Sequence, residues 1–429
     1  MTPDRAVIRK VLFRIVPFTM LLFFIGYIDR TNIGIAALRM NQSLGFTAQT
    51  YGLGAGIFFL GYALFEIPSN WVMLRCGPRV WLARIMITWG IISSATAFIN
   101  SATSFYVLRF LLGVAEAGFL PAVMYYFSTW IPARERGKAL SLFMASATIS
   151  LFVGTPLGAM FLSLNGLFGL QGWQVLFLIE GLPAVVVGII ALYYLTDTPE
   201  SAKWLSTGEK LSLKEILAGE ASSEPVLKTG FSRALVAPLV LGMAALAFFI
   251  NFSNYSVVFW LPQIIKELGK MSDVQTGWVS AFPYLLAAAS MIGNGWHSDK
   301  TGDRKWHLVL CAIAGFVGLL VSSFGANSIV IYIGLCLAAI GIWGMFGVFW
   351  ALASDCLSGA AAAAGFAMIN TIGTLGGFVG PYLLGIIRQH TGNFSTSLLL
   401  LSVGPLLAAV LAAIFGSAGR PRTVVEAGA

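Results

Sequence analysis

The residues of this 429-residue chain most able to do chemistry are charges embedded in apolar runs. In FFIGYIDRTNIGIAAL, residues 23 to 38, Asp29 and Arg30 are neighbours, and LRFLLGVAEAGFLP carries Arg109 and Glu116. A charge at the centre of a bilayer costs on the order of 2.5–3.5 kcal/mol on insertion scales, so each needs a partner or a task. Arginine stays charged in proteins, and its planar fork matches a carboxylate with two parallel hydrogen bonds. Arg30 and Arg109 are therefore candidate binders of an anionic substrate. Asp29 and Glu116 can gain and lose a proton, and a passing anion would alter the balance of burial and nearby positive charge that sets their state. They are candidate proton carriers. The alternative is a pair of interhelical ion pairs that fix the bundle.

Helix geometry divides these charges between faces. Adjacent residues point about 100° apart and do not face each other, so Asp29 and Arg30 must meet different neighbours. Arg109, Gly113 and Glu116 share one face, and Arg30 shares another with Gly26, Tyr27, Gly34 and Ala37. Small residues beside charges predict room for a ligand, and both faces read as cavity walls. Glu66 and Glu180 fall nearer helix ends, where packing or capping is expected. Tyr62, one turn before Glu66, is a further cavity candidate, with aromatic packing as its alternative. His297, His307 and His390 flank loops and support no histidine relay.

These charges must be held by membrane helices. The chain is 58% hydrophobic and 10% charged, against roughly 25% charged for soluble domains, and its mean hydropathy is +0.84. Apolar runs of about 20 residues, long enough to span, fall near 11–38, 51–74, 80–99, 104–130, 138–163, 174–196, 234–261, 275–296, 307–325, 328–354, 362–388 and 394–415. The expectation is an all-α polytopic protein of twelve transmembrane helices in two six-helix bundles, 1–196 and 234–429, joined by a polar cytoplasmic linker, 197–233. The first apolar run lacks a small-residue cleavage site, so no signal peptide is expected. Cys76, Cys311, Cys336 and Cys356 are scattered without metal-ligand or disulfide spacing. No phosphate-binding glycine loop is present, since Gly269-Lys270 is followed by Met271. Neither metal, cofactor nor nucleotide is expected.

The basic balance follows from topology. With the N-terminus in the cytoplasm, 20 Lys and Arg fall on the inner side and 4 on the outer, leaving Arg30 and Arg109 within the membrane. That asymmetry matches the positive-inside rule and puts both termini in the cytoplasm. It accounts for the net charge of +8 without nucleic acid.

The halves also repeat. An offset of 225 pairs Trp71 with Trp296, Arg75 with Lys300, Gly77 with Gly302, Arg79 with Arg304, and Pro156 with Pro381. The same offset carries Asp29 to Asn254 and Arg30 to Tyr255. Binding is then charge-led from one half and hydrogen-bond-led from the other, with Asn370 a further candidate from the second half.

The loop GWHSDKTGDRK, Gly295 to Lys305, resembles the signature loop of the major facilitator superfamily, whose halves are parallel repeats. The resemblance implies a latch on the cytoplasmic side built from Asp299, Lys300 and Arg304, with Arg75 and Arg79 in the other copy. In that copy Leu74 replaces the acid, so an acidic latch would rest on Asp299 alone; the alternative is that these residues cap helices and anchor topology. GTPLG and GGFVGP read as packing and hinge elements. GYIDRTNIGIA, RFLLGVAEAGFLPA, FLIEGLPAVVVG with DTPESAKWL, and NTIGTLGGFVGP are similar to segments of the anion:cation symporter family within that superfamily. That likeness covers nearly the whole chain. It implies that Arg30 and Arg109 bind carboxylate, that Asp29 and Glu116 couple protons, and that Asn370 touches substrate. The implied protein is not an enzyme but a proton-coupled symporter of a small organic anion, acting as a monomer in a bacterial inner membrane. A tartrate-like dicarboxylate, a sugar acid or an aromatic acid would be carried. A proton-driven exporter and a transporter-like nutrient sensor are the competing classes.

Overall fold

The computed structural model describes residues 3–221, 237–357 and 359–417; residues 222–233 of the expected linker, with Arg420 and Arg422 of the tail, lie outside them. All regular elements among the described residues are helices. The first half of the chain forms α1 (Arg5–Leu44), α2 (Ala48–Cys76), α3 (Pro78–Phe98), α4 (Ala102–Trp130), α5 (Ala133–Leu162) and α6 (Gly172–Tyr194). A short α7 (Thr207–Ala221) follows. The second half forms α8 (Pro238–Leu268), α9 (Asp273–Thr301), α10 (Lys305–Phe324), α11 (Ser328–Cys356), α12 (Gly359–Thr391) and α13 (Phe394–Phe415). Helix α7 is tied to α1 by Lys10–Glu209 at 2.9 Å. The Ser206 amide, with Lys10, holds the Glu209 carboxyl below its ordinary range.

Eleven of these helices are long and apolar enough to cross a membrane. The expected span 275–296 is also a helix, α9, with 29 residues. At 1.5 Å per residue it measures about 43 Å, but it is less apolar than the others. Its polar side chains serve packing instead: Ser290 donates to the Ile340 carbonyl and Asn294 to that of Gly344, each at 2.8 Å. Both acceptors are on α11, so α9 is buttoned to its neighbour by hydrogen bonds.

Alternating helices begin in different ways. Five of the six starting at the end where α1 finishes, here the Leu44 end, carry side-chain caps, α6 being the exception. Thr47, Ser101, Ser272, Asn327 and Asn393 each accept from amides of the first turn of α2, α4, α9, α11 and α13. Such caps are typically worth about 1 kcal/mol each. At the opposite Cys76 end, α3 and α8 instead begin with proline, which has no amide hydrogen of its own to leave unsatisfied.

One long helix is broken. In α4, Ala117 leaves the helical region (φ −52°, ψ 131°) and Gly118 turns left-handed at φ 86°. A side chain there would also strike the Ser69 hydroxyl, 2.4 Å from an added Cβ. The helix restarts at Phe119 and ends at Trp130. The sequence reading of one continuous span is corrected here. The freed carbonyls find donors: Ser69 donates to Ala117 at 2.5 Å and Arg84 to Ala115 at 3.2 Å.

Candidate functional site

Arg30, midway along α1, is the hub. It forms an ion pair with Glu116, the last residue before the break in α4. The end of a helix is its negative pole, an unfavourable place for a carboxylate, and the Arg30 guanidinium offsets that. The guanidinium is caged by aromatic rings, 5.4 Å from the Tyr27 centroid, 5.5 Å from Phe58 and 5.7 Å from Tyr62. Its Nη1 donates to the Tyr255 hydroxyl at 3.2 Å. The Arg30 side chain keeps 11% of its surface accessible while Glu116 keeps none.

Arg30 and Tyr255 are separated by the repeat offset, 225 residues. Two residues related by a two-fold axis can touch each other only close to that axis. This hydrogen bond joins the two halves at positions related by the repeat offset.

Asp29 faces elsewhere, as the 100° rotation requires. It is fully buried and accepts from Trp89 Nε1 at 2.5 Å, from the Ser93 hydroxyl, and from Asn32 Nδ2 at 3.2 Å. All three donors belong to the first half. Arg109 is also buried, at 1% exposure, and donates to the carbonyls of Gly54 and Ala55 on α2, each at 3.3 Å. Its guanidinium lies 5.2 Å from the centroid of Phe58, the ring that also flanks Arg30.

Two faces predicted to be cavity walls are instead packing faces. A Cβ added at Gly113 would lie 1.9 Å from the Phe58 carbonyl oxygen, so α2 fills the space between Arg109 and Glu116. Gly26 abuts the Trp89 ring and Gly34 the backbone of Val258 and Phe259. Of that stripe, the residue that faces the Arg30 guanidinium is Tyr27.

Glu66 and Glu180 are not end caps: each lies well inside its helix and is nearly buried, at 5% and 6% exposure. Asn370 donates to Glu66 at 2.6 Å across the two halves. Sequence placed Asn370 in the site but not its partner. Asn254, the repeat mate of Asp29, is buried with its Oδ1 unpartnered and, among the described residues, is not hydrogen-bonded to Arg30, Glu116 or Asn370.

The charged contacts differ at the two ends. At the Leu44 end the halves close on each other. An added Cβ at Gly52 on α2 would lie 2.6 Å from the Pro381 carbonyl, and one at Gly277 on α9 would lie 2.4 Å from Ala159 and 3.3 Å from Pro156. Gly52 with Gly277, and Pro156 with Pro381, are repeat mates, so the closure is made twice by equivalent residues. Arg39 on α1 reaches Asp273 at 2.6 Å, and Lys266 joins it at 2.9 Å.

At the Cys76 end the signature-loop charges hold their own half. Arg304 pairs with Asp299 at 2.5 Å and with Asp355 at 3.1 Å, so the acid is not Asp299 alone. Lys300 lies 5.3 Å from the Trp296 centroid and Arg75 3.5 Å from that of Trp71. In the copy lacking its acid, Asp197 takes the place: it pairs with Arg79 at 3.3 Å and accepts from the Arg79 amide at 2.9 Å. Asp197→Ala removes both contacts and an α3 cap; an apparent stability loss of about 1 kcal/mol is expected, read as a lower Tm in detergent with transport retained.

Among the described residues, no cluster of three or more His, Cys, Asp and Glu could hold a metal. The arrangement can present a fixed positive charge to an anion while exchanging a proton at an adjacent carboxyl.

Residues 19–381 match the model of the Major Facilitator Superfamily. A protein of Agrobacterium vitis provisionally named a tartrate transporter is 46% identical over 92% of this chain and 91% of its own. A protein of Acinetobacter baumannii named a quinolone resistance transporter is 39% identical over 95% of this chain and 94% of its own. Among solved structures, a bacterial homologue of the human lysosomal transporter Spinster, inward-facing and unoccupied, superposes with a TM-score of 0.78 at 17% identity, covering 96% of this chain and 99% of its own. The chain belongs to the Major Facilitator Superfamily: it is a membrane-spanning transporter with bacterial relatives and is not an enzyme.

Proposed function

We propose that this protein imports a small organic anion together with protons by alternating access between bundles 1–196 and 234–429, linked by 197–233. The observation that carries the proposal is Arg30: one guanidinium on the repeat axis, ion-paired with Glu116 and hydrogen-bonded to the opposite half. A substrate carboxylate and the Glu116 carboxylate compete for it. When Glu116 takes up a proton, Arg30 is released to the anion; when the proton leaves, Glu116 reclaims Arg30 and expels the anion. Tyr27, Tyr62, Tyr255, Asn254 and Asn370 line or border the substrate's path, Arg109 adds positive potential behind Phe58, and Asp29 is a second proton carrier.

The positive-inside count puts the Cys76 end and both termini in the cytoplasm of a bacterial inner membrane, with α9 as the twelfth span. The state described here is then closed outside and unlatched inside. Arg304, Asp299, Lys300, Arg75 and Arg79 would latch the inner side in the opposite state. A single chain supplies both halves of the site, so a monomer suffices. Co-transported protons offset the electrical work of importing an anion, about 2.3 kcal/mol per charge per 100 mV. The tartrate-named relative and the hub's own chemistry support a dicarboxylate or hydroxy acid as substrate.

Glu116→Gln tests the competition. Gradient-driven tartrate accumulation in proteoliposomes is expected to fall at least roughly tenfold, one lost exchangeable proton being worth about 1.4 kcal/mol or more. Tartrate counterflow is expected to persist. Equal loss of both would make the pair a structural tie. The quinolone-named relative supports a second reading, proton-driven export, for which an opposite proton gradient would drive substrate out of the same vesicles.

A further inference from the structure

Glu180 has no role in the competition at Arg30, yet it is the least satisfied charged group of the first half. It lies on α6 about 12 Å, at 1.5 Å per residue, from the start of that helix at the Leu44 end. That end is fixed by the hydrogen bond from Trp173 to Ser43 (3.3 Å). Glu180 is 6% exposed, and neither carboxyl oxygen has a hydrogen-bond partner. From α1, it is faced by Asp29 and by the Asn32 amide. From α5 it is faced by Gly158, whose added Cβ would lie 3.3 Å from Glu180 Oε1. From α3 comes Ser94, which packs on the next residue, Gly181. Asp29 is the one charged side chain acting on it among the described residues.

Unsatisfied polar atoms gather here. Asn32 Oδ1 and Ser94 Oγ are buried and unpartnered, as are both Glu180 oxygens. Buried polar groups in native proteins are nearly always satisfied, and a cluster that is not points to a redox, catalytic or solvent-exchange task. Asn32 already donates to Asp29. Its amide has a second hydrogen and a free acceptor, so it can bond Glu180 in either charge state. Two buried carboxyls that repel each other cannot easily both be ionised, and such pairs titrate as a unit.

Resting on the proton-coupled reading above, we infer that Glu180 is the proton partner of Asp29, so that protons reach Asp29 from the outer face through the first bundle, apart from the anion's path. The O–H bond on Glu180 breaks as one forms on Asp29, and the Glu180 carboxylate is then reprotonated from the outer side. The proton bound for Asp29 thus enters apart from the anion, and the two influence each other through helix α1, where Asp29 and Arg30 are neighbours.

Infrared difference spectra of the purified protein between acidic and neutral pH test this without a substrate. The wild type should show two coupled buried carboxyl bands. Glu180→Gln should remove one and move the midpoint of the Asp29 band by about one pH unit or more. Asn32→Leu, which keeps both acids, removes the amide donor to Asp29 and should move the midpoints of the bands; it also covers the case in which Glu180→Gln does not fold. If either variant leaves the bands and midpoints as in wild type, Glu180 is a permanently neutral packing group and the inference is wrong. In proteoliposomes with radiolabelled tartrate, Glu180→Gln should lose gradient-driven accumulation and keep counterflow. Wild-type vesicles that fail to accumulate tartrate would overturn the symport reading itself; wild-type accumulation with an unchanged variant overturns only the role of Glu180.

Discussion

Arg30→Lys is expected to weaken anion transport by about a hundredfold, and Arg30→Ala by more. Truncating one member of a buried, hydrogen-bonded charge pair costs about 2–5 kcal/mol, or roughly thirtyfold to several thousandfold. Lysine keeps the charge but not the fork: it cannot meet Glu116, Tyr255 and the three flanking rings at once, because its ammonium is a compact point charge. Both variants should fold. Glu116, left without its partner, can take a proton instead of remaining a buried unpaired charge. The check is uptake kinetics beside Tm. A loss of transport with Tm unchanged places the effect in binding, whereas a parallel fall in Tm would make Arg30 a structural tie.

The second large effect concerns closure. Gly52→Leu with Gly277→Leu should prevent the outer side from closing. At each position even a Cβ already falls 2.4–2.6 Å from a neighbour in the opposite half. Overpacking typically costs about 1–3 kcal/mol per site. Two equivalent sites together give about 2–6 kcal/mol, and the upper end of that range meets the roughly 5.5 kcal/mol that carries a two-state population from 1:99 to 99:1. The strain falls only on the state described here, since the two surfaces part when the outside opens. Spin labels at Gln42 and Lys270 should then report a longer separation in the double variant. Anion would still bind from outside, but uptake would fall more than tenfold. An unchanged label distance would show that these glycines do not govern closure.

Much of this design is legible in the residues themselves. An all-helical chain, with eleven membrane-spanning candidates among the described residues, and the divergence of Asp29 from Arg30 follow from length, spacing and the 100° step. What was not legible depends on neighbours. A stripe of small residues looks the same whether it borders a cavity or another backbone, and Gly26 and Gly113 turned out to do the second. The break after Glu116 was written in Gly118 and Pro121, but one left-handed glycine in an apolar run carries little signal beside the length of that run. Glu66 and Glu180 were judged by distance from helix ends. Their burial is set by Asn370 and by the close approach of α5 and α6 at Gly158, which spacing along one helix cannot reveal. The loss of an acid at Leu74 was visible; its replacement by Asp197, 123 residues later, needed the fold.

In the proposed cycle the roles split between neighbours on one helix: Arg30, bonded to the opposite half, would exchange Glu116 for an anion, and Asp29, bonded within its own bundle, would hold protons away from substrate. Coupling then requires no moving part between the two beyond α1 itself. The most direct test of this coupling is tartrate accumulation by purified wild-type protein in proteoliposomes, with and without an inward proton gradient at fixed membrane potential. Accumulation that rises with the gradient and collapses with a protonophore is predicted; accumulation indifferent to the gradient would contradict proton-coupled import.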